Sequence, residues 1–283
     1  MASLKLSLLT LCALTISVLF SWSSLSALER IPTPQREVAP LSAEHSLFAQ
    51  QLAVIVVPGK GVDYAKLQAD RSLLQDYLAQ LAAAPVPEER AEQLAFWINA
   101  YNAATLALVI HHLPPATDDP ATAWADFSVM TSVKDFWKGF SFEVAGEWLT
   151  IDALQKNKLA QLNEPRIHFA INCASVSCPP LAATPYLASS LDEQLAQAVQ
   201  AFVADPQQVA ITATGWTGGG RLATLNPIMQ WYRADFGGSD KGVQEFLASH
   251  SVNPEQAADL RRATLAYAGY DWGLNLALST AAK

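Results

Sequence analysis

The chain reads as an α+β protein: helices before and after a small central, mostly antiparallel sheet. Three observations point there. Apolar residues recur at helical spacing before residue 115 and after residue 188, strand-like segments gather in the middle, and regular strand–helix alternation is absent. With 283 residues the chain is long enough to bury a substantial core.

Lys5 precedes the apolar run "LSLLTLCALTISVLF" and the small residues Ser24 and Ser26, the pattern of a secretory leader over 1–26 with cleavage before Ala27. An uncleaved amino-terminal anchor is the competing reading. Residues 27–44, rich in proline and without period, read as an extended lead-in. "HSLFAQQLAVIVV" and "YAKLQADRSLLQDYLAQLAAA" follow as helices, the second placing Leu67, Leu74, Leu78 and Leu81 on one face. The strongest helix signal is "PVPEERAEQLAFWINAYNAATLALVIHHLPP", with Pro87 in the first turn and Pro114 as its stop. "FSFEVAGEWLTI" predicts two strands around Gly146, and "RIHFAINC" a third. In "SSLDEQLAQAVQAFVADP" Ser190 and Glu193 have capping-box spacing. "QVAITATGWTGGGRLATL" predicts a hairpin, and "NPIMQWYRADFGG", "GVQEFLASH" and "NPEQAADLRRATLAY" predict helices. A single domain over 45–275 with a tail at 276–283 is the simplest division.

Charge narrows the functions. Eighteen Lys and Arg against 26 Asp and Glu give −8, without a basic cluster. Such a chain repels nucleic acid and anionic lipid, so neither is expected as a partner. No stretch after the leader has the roughly 20 unbroken apolar residues that span a bilayer, and the protein is expected in the periplasm or outside the cell. No cofactor fingerprint and no metal-ligand spacing is present.

Two segments carry the chemistry. Asn99 and Asn102, three apart, share one face of an otherwise apolar helix, with Tyr101 between them. Buried amides need definite partners, so they either fix backbone or line a cleft, where Asn99 or Asn102 orients a base or holds an oxyanion. The second segment, "EPRIHFAINCASVSCPPLAATPY", holds Cys173, Cys178, His168, Asn172, Ser175 and Ser177. Three readings are open: a Cys173–Cys178 disulfide, which an oxidising compartment permits; a Cys173 thiolate nucleophile with His168 as base; or two reduced structural cysteines. A regular strand places His168 with Asn172 on the polar face and Cys173 opposite.

"FWINAYNA", "SVKDFWKGFSFEVAGEWLTIDALQ", "PRIHFAINCASVSCPPL", "LDEQLAQAVQAFV", "QWYRADFG" and "YDWGLN" occur in that order. As a set they resemble the domain-of-unknown-function family 547 over about residues 45–275. The resemblance implies a compact domain with the asparagine helix and the cysteine segment as its hallmarks, and no established reaction. A likeness to papain-like and transglutaminase-like thiol enzymes is fold-level analogy, and the five-residue step from His168 to Cys173 departs from their order. Two functions follow. One is an exported thiol-dependent hydrolase or acyltransferase, with Cys173, His168 and Asn99 catalytic, and Tyr101, Asn102, Asn172, Ser175 and Ser177 around a small-molecule or peptide-like substrate. The other is a non-catalytic ligand-binding module stapled by Cys173–Cys178.

The leader reading has a direct measurement. Intact mass of exported protein is expected to show a chain starting at or near Ala27; recovery of chains still carrying Met1 or Ala2 would remove processing.

Overall fold

The computed structural model describes residues 28–32, 37–215 and 219–277; the expected leader over 1–26, Trp216 and Gly218 lie outside these described residues. In chain order the elements are β1 (Glu29–Arg30), α1 (Ser46–Ile55), β2 (Val56–Val57), β3 (Gly61–Val62), α2 (Tyr64–Ala69), α3 (Ser72–Ala83), α4 (Arg90–His112) and α5 (Pro120–Ala123). There follow β4 (Phe140–Val144), β5 (Glu147–Thr150), α6 (Ile151–Ala153), α7 (Leu191–Ala204), β6 (Val209–Thr214), β7 (Gly220–Leu225), α8 (Ile228–Trp231), α9 (Asp240–His250), α10 (Pro254–Arg262) and β8 (Thr264–Tyr267). The fold is α+β. Its strands do not share one central sheet, however: they form three small ones, β1-β4-β5, β2-β3 and β6-β7-β8. Both expected hairpins form antiparallel, β4–β5 around Gly146 and β6–β7, while β1 pairs with β4 and β8 with β7 in parallel.

Helix α4 is the axis of the molecule. Every residue from Leu94 to Ile110 is buried, as its all-round apolarity demands. It is long and apolar enough to cross a bilayer, yet 94% of its apolar window is buried inside the protein. It begins at Arg90, so Pro87 precedes it rather than occupying its first turn, and it ends at His112 before Pro114. The "YAKLQADRSLLQDYLAQLAAA" helix is two helices. Asp70 adopts extended backbone and its carboxylate accepts the Ser72 N–H at 2.9 Å, which starts α3 afresh. Leu67, Leu74, Leu78 and Leu81 are nonetheless all buried.

Three local expectations are corrected. "RIHFAINC" is not a strand: Pro165–Phe169 is a 3-10 turn. Its Glu164 carboxylate accepts the Arg166 N–H at 3.2 Å and Arg166 Nε at 2.7 Å, and Pro165 presets the helical φ, so a tight turn wins over extended pairing. The capping box of α7 does not form. Gln194 takes the role instead, accepting from the Leu187 N–H at 2.9 Å and from Ser190 Oγ at 3.2 Å and donating to the Pro185 carbonyl at 2.8 Å. Finally, "ATLAY" leaves the helical run after Arg262 and enters the sheet as β8.

The buried residues form two clusters. One gathers around α1–α4 and β4–β5; the other joins α7, α9, α10 and β6–β8. The 3-10 turn is the seam between them, with Ile167 in the first cluster and Phe169 in the second. After the seam the chain is held by α4. Asn102 Nδ2 donates to the Ala170 carbonyl at 3.0 Å, and its Oδ1 accepts the Asn172 N–H at 2.8 Å. Asn99 makes the same double clasp on one residue farther along, donating to the Tyr186 carbonyl at 2.8 Å and accepting its N–H at 2.9 Å. Both asparagines are buried, so removing either strands a carbonyl and an N–H in low dielectric. Asn102→Leu is expected to lower unfolding free energy by about 2–4 kcal/mol. Denaturant melts measure it, and an unchanged midpoint would mean that the clasp contributes nothing.

Candidate active site

Residues 170–187 form a loop whose shape follows from one side chain. Asn172 Oδ1 accepts the Ala174 N–H at 2.9 Å, the Asx turn that lets Ala174 sit at φ 63, a left-handed conformation unusual for a residue with a Cβ. Asn172 Nδ2 closes the far side on the Pro179 carbonyl at 2.8 Å. A late segment of the chain, 270–277, straps this loop. Val176 N–H donates to Gly273 O at 2.8 Å, Asn275 N–H to Ala174 O at 3.1 Å, and Asp271 N–H to Ser177 Oγ at 2.9 Å. The strap is anchored in turn by Val62 N–H on Asn275 O and by Tyr64 Oη on Asn275 Oδ1 at 2.7 Å. Gly61 is required there: at φ +128, a Cβ would stand 2.2 Å from the Asn275 carbonyl oxygen.

The loop delivers Cys173, half-buried, to a cavity of about 220 Å³ at the seam between the two cores. His168 and Tyr101 line the same cavity, so the structure brings these three together. Cys178 lines it as well, and both cysteines are free thiols, which corrects the disulfide reading. The loop turns Cys178 Sγ onto the Cys173 backbone N–H, 2.9 Å away, and leaves no bridge between the sulfurs. Asn99, Asn102, Asn172, Ser175 and Ser177 do not line the cavity. Their side chains hold the surrounding backbone, except Ser175, whose buried hydroxyl lies 2.9 Å from Cys173 Sγ.

The thiol has a second hydroxyl neighbour. Tyr270 Oη lies 3.3 Å from Cys173 Sγ and 3.1 Å from Ser175 Oγ. Burial alone pushes the Cys173 thiol up, but hydrogen bonds from Cys178, Ser175 and Tyr270 side chains outweigh it and bring it down to about 7. Burial raises the neighbouring Cys178 well above the ordinary thiol value. Of the two, Cys173 is the one with hydroxyls beside its sulfur.

His168 is not bonded to that sulfur. Its Nε2 meets Asp235 Oδ2 at 2.7 Å, and its ring stacks on Tyr232 with centroids 3.9 Å apart. Burial lowers its pKa, against the opposing effect of Asp235. A neutral ring donating from Nε2 to the carboxylate carries its lone pair on Nδ1, which is buried and has no hydrogen-bond partner among the described residues.

Several lining residues escaped the sequence reading: Gln155, Trp231, Tyr232, Tyr270 and Trp272, with Asp235 behind His168. The signal was present in "QWYRADFG" and "YDWGLN", but nothing in either motif says that it reaches back to Cys173. Gln155 and Lys156 come from a π-helical stretch, Leu154–Leu159, that continues α6; such wide turns are frequent at functional sites. Among the described residues no group of three or more His, Cys, Asp or Glu is placed to hold a metal ion.

Residues 87–203 match the model of a family described as protein of unknown function, DUF547. No curated protein and no solved structure matches it. The matched segment runs from just before α4 to near the end of α7 and includes Cys173 and His168, whereas Trp231, Tyr232, Asp235 and Tyr270 lie beyond it.

The activation of Cys173 through hydroxyls is measurable. Tyr270→Phe and Ser175→Ala each remove a hydrogen bond that favours the thiolate, so each is expected to raise the midpoint of Cys173 alkylation against pH by roughly one unit. Alkylation at pH 7 then slows. A midpoint unmoved in both variants would show that the hydroxyls do not set the thiol's ionisation.

Proposed function

We propose that Cys173 is the nucleophile of a thiol-dependent hydrolase or acyltransferase acting in the periplasm or outside the cell. The observation that carries this reading is a half-buried thiol, brought down to about 7 and set in a cavity beside His168, itself buried and bonded to the exposed carboxylate of Asp235. The leader-like start of the chain supports the compartment. A non-catalytic module has no use for a depressed thiol, and with both cysteines free it lacks its staple.

Ionised Cys173 attacks the carbonyl carbon of an ester, thioester or amide, forming a C–S bond as the carbonyl π pair moves to oxygen. The hydroxyls of Ser175 and Tyr270, which stabilise the thiolate, are the nearest donors for that oxyanion as negative charge leaves sulfur. Collapse expels the alcohol, thiol or amine, which takes up from solvent the proton that Cys173 gave up on ionising. In the second half, water or another acceptor attacks the thioester. His168 Nδ1 accepts its proton while Asp235 stabilises the imidazolium that forms, and the proton then returns to the departing sulfur. Asn99 and Asn102 act as positioning residues, through the backbone they clasp.

Incubation with p-nitrophenyl acetate tests the reading. An acetyl adduct is expected on the Cys173 peptide, with release of p-nitrophenol that Cys173→Ser abolishes. His168→Asn is expected to let the adduct form but slow its loss. Absence of an adduct in the wild-type protein, or undiminished release by Cys173→Ser, would defeat the proposal.

A further inference from the structure

Among the described residues the Cys173 thiolate has no counter-cation. Among the described residues its sulfur is bonded by hydroxyls and by Cys178, and no Lys, Arg or imidazolium reaches it. His168, the ring best placed for that duty, is kept neutral by burial and turns its Nε2 to Asp235. The cavity wall carries one ammonium, on Lys156, and it is tied to Asp152 Oδ1 at 2.7 Å. With the thiolate formed, the charges in and just behind the wall are Asp152, Lys156, Cys173 and Asp235, that is −1 + 1 − 1 − 1 = −2.

Much of the remaining wall is aromatic, with Gln155, Ile171 and Ile228 among it. Trp137, Trp231, Tyr232, Tyr270 and Trp272 line it, and the Trp231 and Trp272 rings stack with centroids 5.6 Å apart and planes 13° apart. Trp231 is 48% exposed, a large aromatic surface left in water at the cavity rather than spent on the core. Aromatic faces present negative potential and attract organic cations, most strongly where water is excluded. A carboxylate or phosphate would find no unpaired cation on this wall. An uncharged group would leave the thiolate without a counter-charge.

We propose that the substrate carries a compact organic cation, an alkylammonium head, which sits against the Trp231–Trp272 wall beside Cys173. The inference rests on Cys173 being the nucleophile, and names the substrate class of that same site. The net charge of −8 on the chain acts in the same direction at long range.

Three methanethiosulfonates of different charge test it on the full chain: methyl (neutral), trimethylammonioethyl (cationic) and sulfonatoethyl (anionic). In each reaction Cys173 sulfur displaces methanesulfinate and forms a mixed disulfide, followed on the Cys173 peptide by mass spectrometry. Each rate is divided by that of 2-mercaptoethanol with the same reagent. The normalised rate for the cation is expected to exceed that for the anion by about tenfold, and to do so in concentrated salt, where long-range attraction is screened. Trp231→Leu, which keeps apolar area and removes the ring, is expected to reduce that ratio about fivefold. A fast neutral reaction with a cation-to-anion ratio near one, a ratio lost in salt, or a ratio unchanged in Trp231→Leu would each overturn the cation site and leave the nucleophile standing. Slow reaction with all three reagents would remove the nucleophile itself.

Discussion

The hydrogen bonds of Asn102 to the backbone on either side of Ile171 are the constraint on which the site depends. They convert a rigid apolar helix into a reference surface for an irregular loop. A loop buried at a seam cannot satisfy its backbone with water, and each stranded group would cost on the order of 1–3 kcal/mol. Asn102 supplies a donor and an acceptor at one point, and Asn172 repeats the device one step outward, to Ala174, Pro179 and the Asn275 side chain. Cys173 lies between Asn172 and Ala174, whose N–H the Asn172 side chain holds. Its position relative to α4 is thus set by short bonds between neutral amides, which salt and pH leave alone.

The consequence for reactivity is a thiol tuned without a charged partner. An imidazolium beside a sulfur makes the thiolate depend on the imidazole's own titration. Two hydroxyls do not titrate in the same range, so ionisation of Cys173 follows the thiol alone. Under the proposed function, the His168–Asp235 pair is left for a separate proton transfer. This division of labour also accounts for the stacking of His168 on Tyr232, which immobilises the ring at a distance from any bond to sulfur.

Much of this was legible in the residues, and the failures have physical causes. Long periodic segments such as α4 and α7 and the β4–β5 hairpin follow from periodicity and turn chemistry that act within a few residues. The burial of Asn99 and Asn102 was also readable, because an amide on an apolar helix has few other fates. "RIHFAINC" misled because apolar alternation over a few residues describes both a short strand and a buried tight turn; the deciding contacts, Glu164 on Arg166 and the Pro165 ring, precede the apolar run. Tyr270 and Asp235 could not be placed, since their relation to Cys173 and His168 exists only after segments 97 and 67 residues apart are folded together. The family model shows the same boundary: it spans Cys173 and His168 and stops before Tyr270 and Asp235.

The strap from Tyr270 to Asn275, threaded against a glycine that leaves no room for a side chain, bears on the life of the protein before it is folded. Synthesis is vectorial, and Cys173 emerges from the ribosome about a hundred residues before the strap does. An incomplete chain therefore carries Cys173 as an ordinary, mostly protonated thiol, without Tyr270 and with its loop unfastened. Under the proposed function, full nucleophilicity comes only when the strap is in place, so a growing chain carries no reactive thiol.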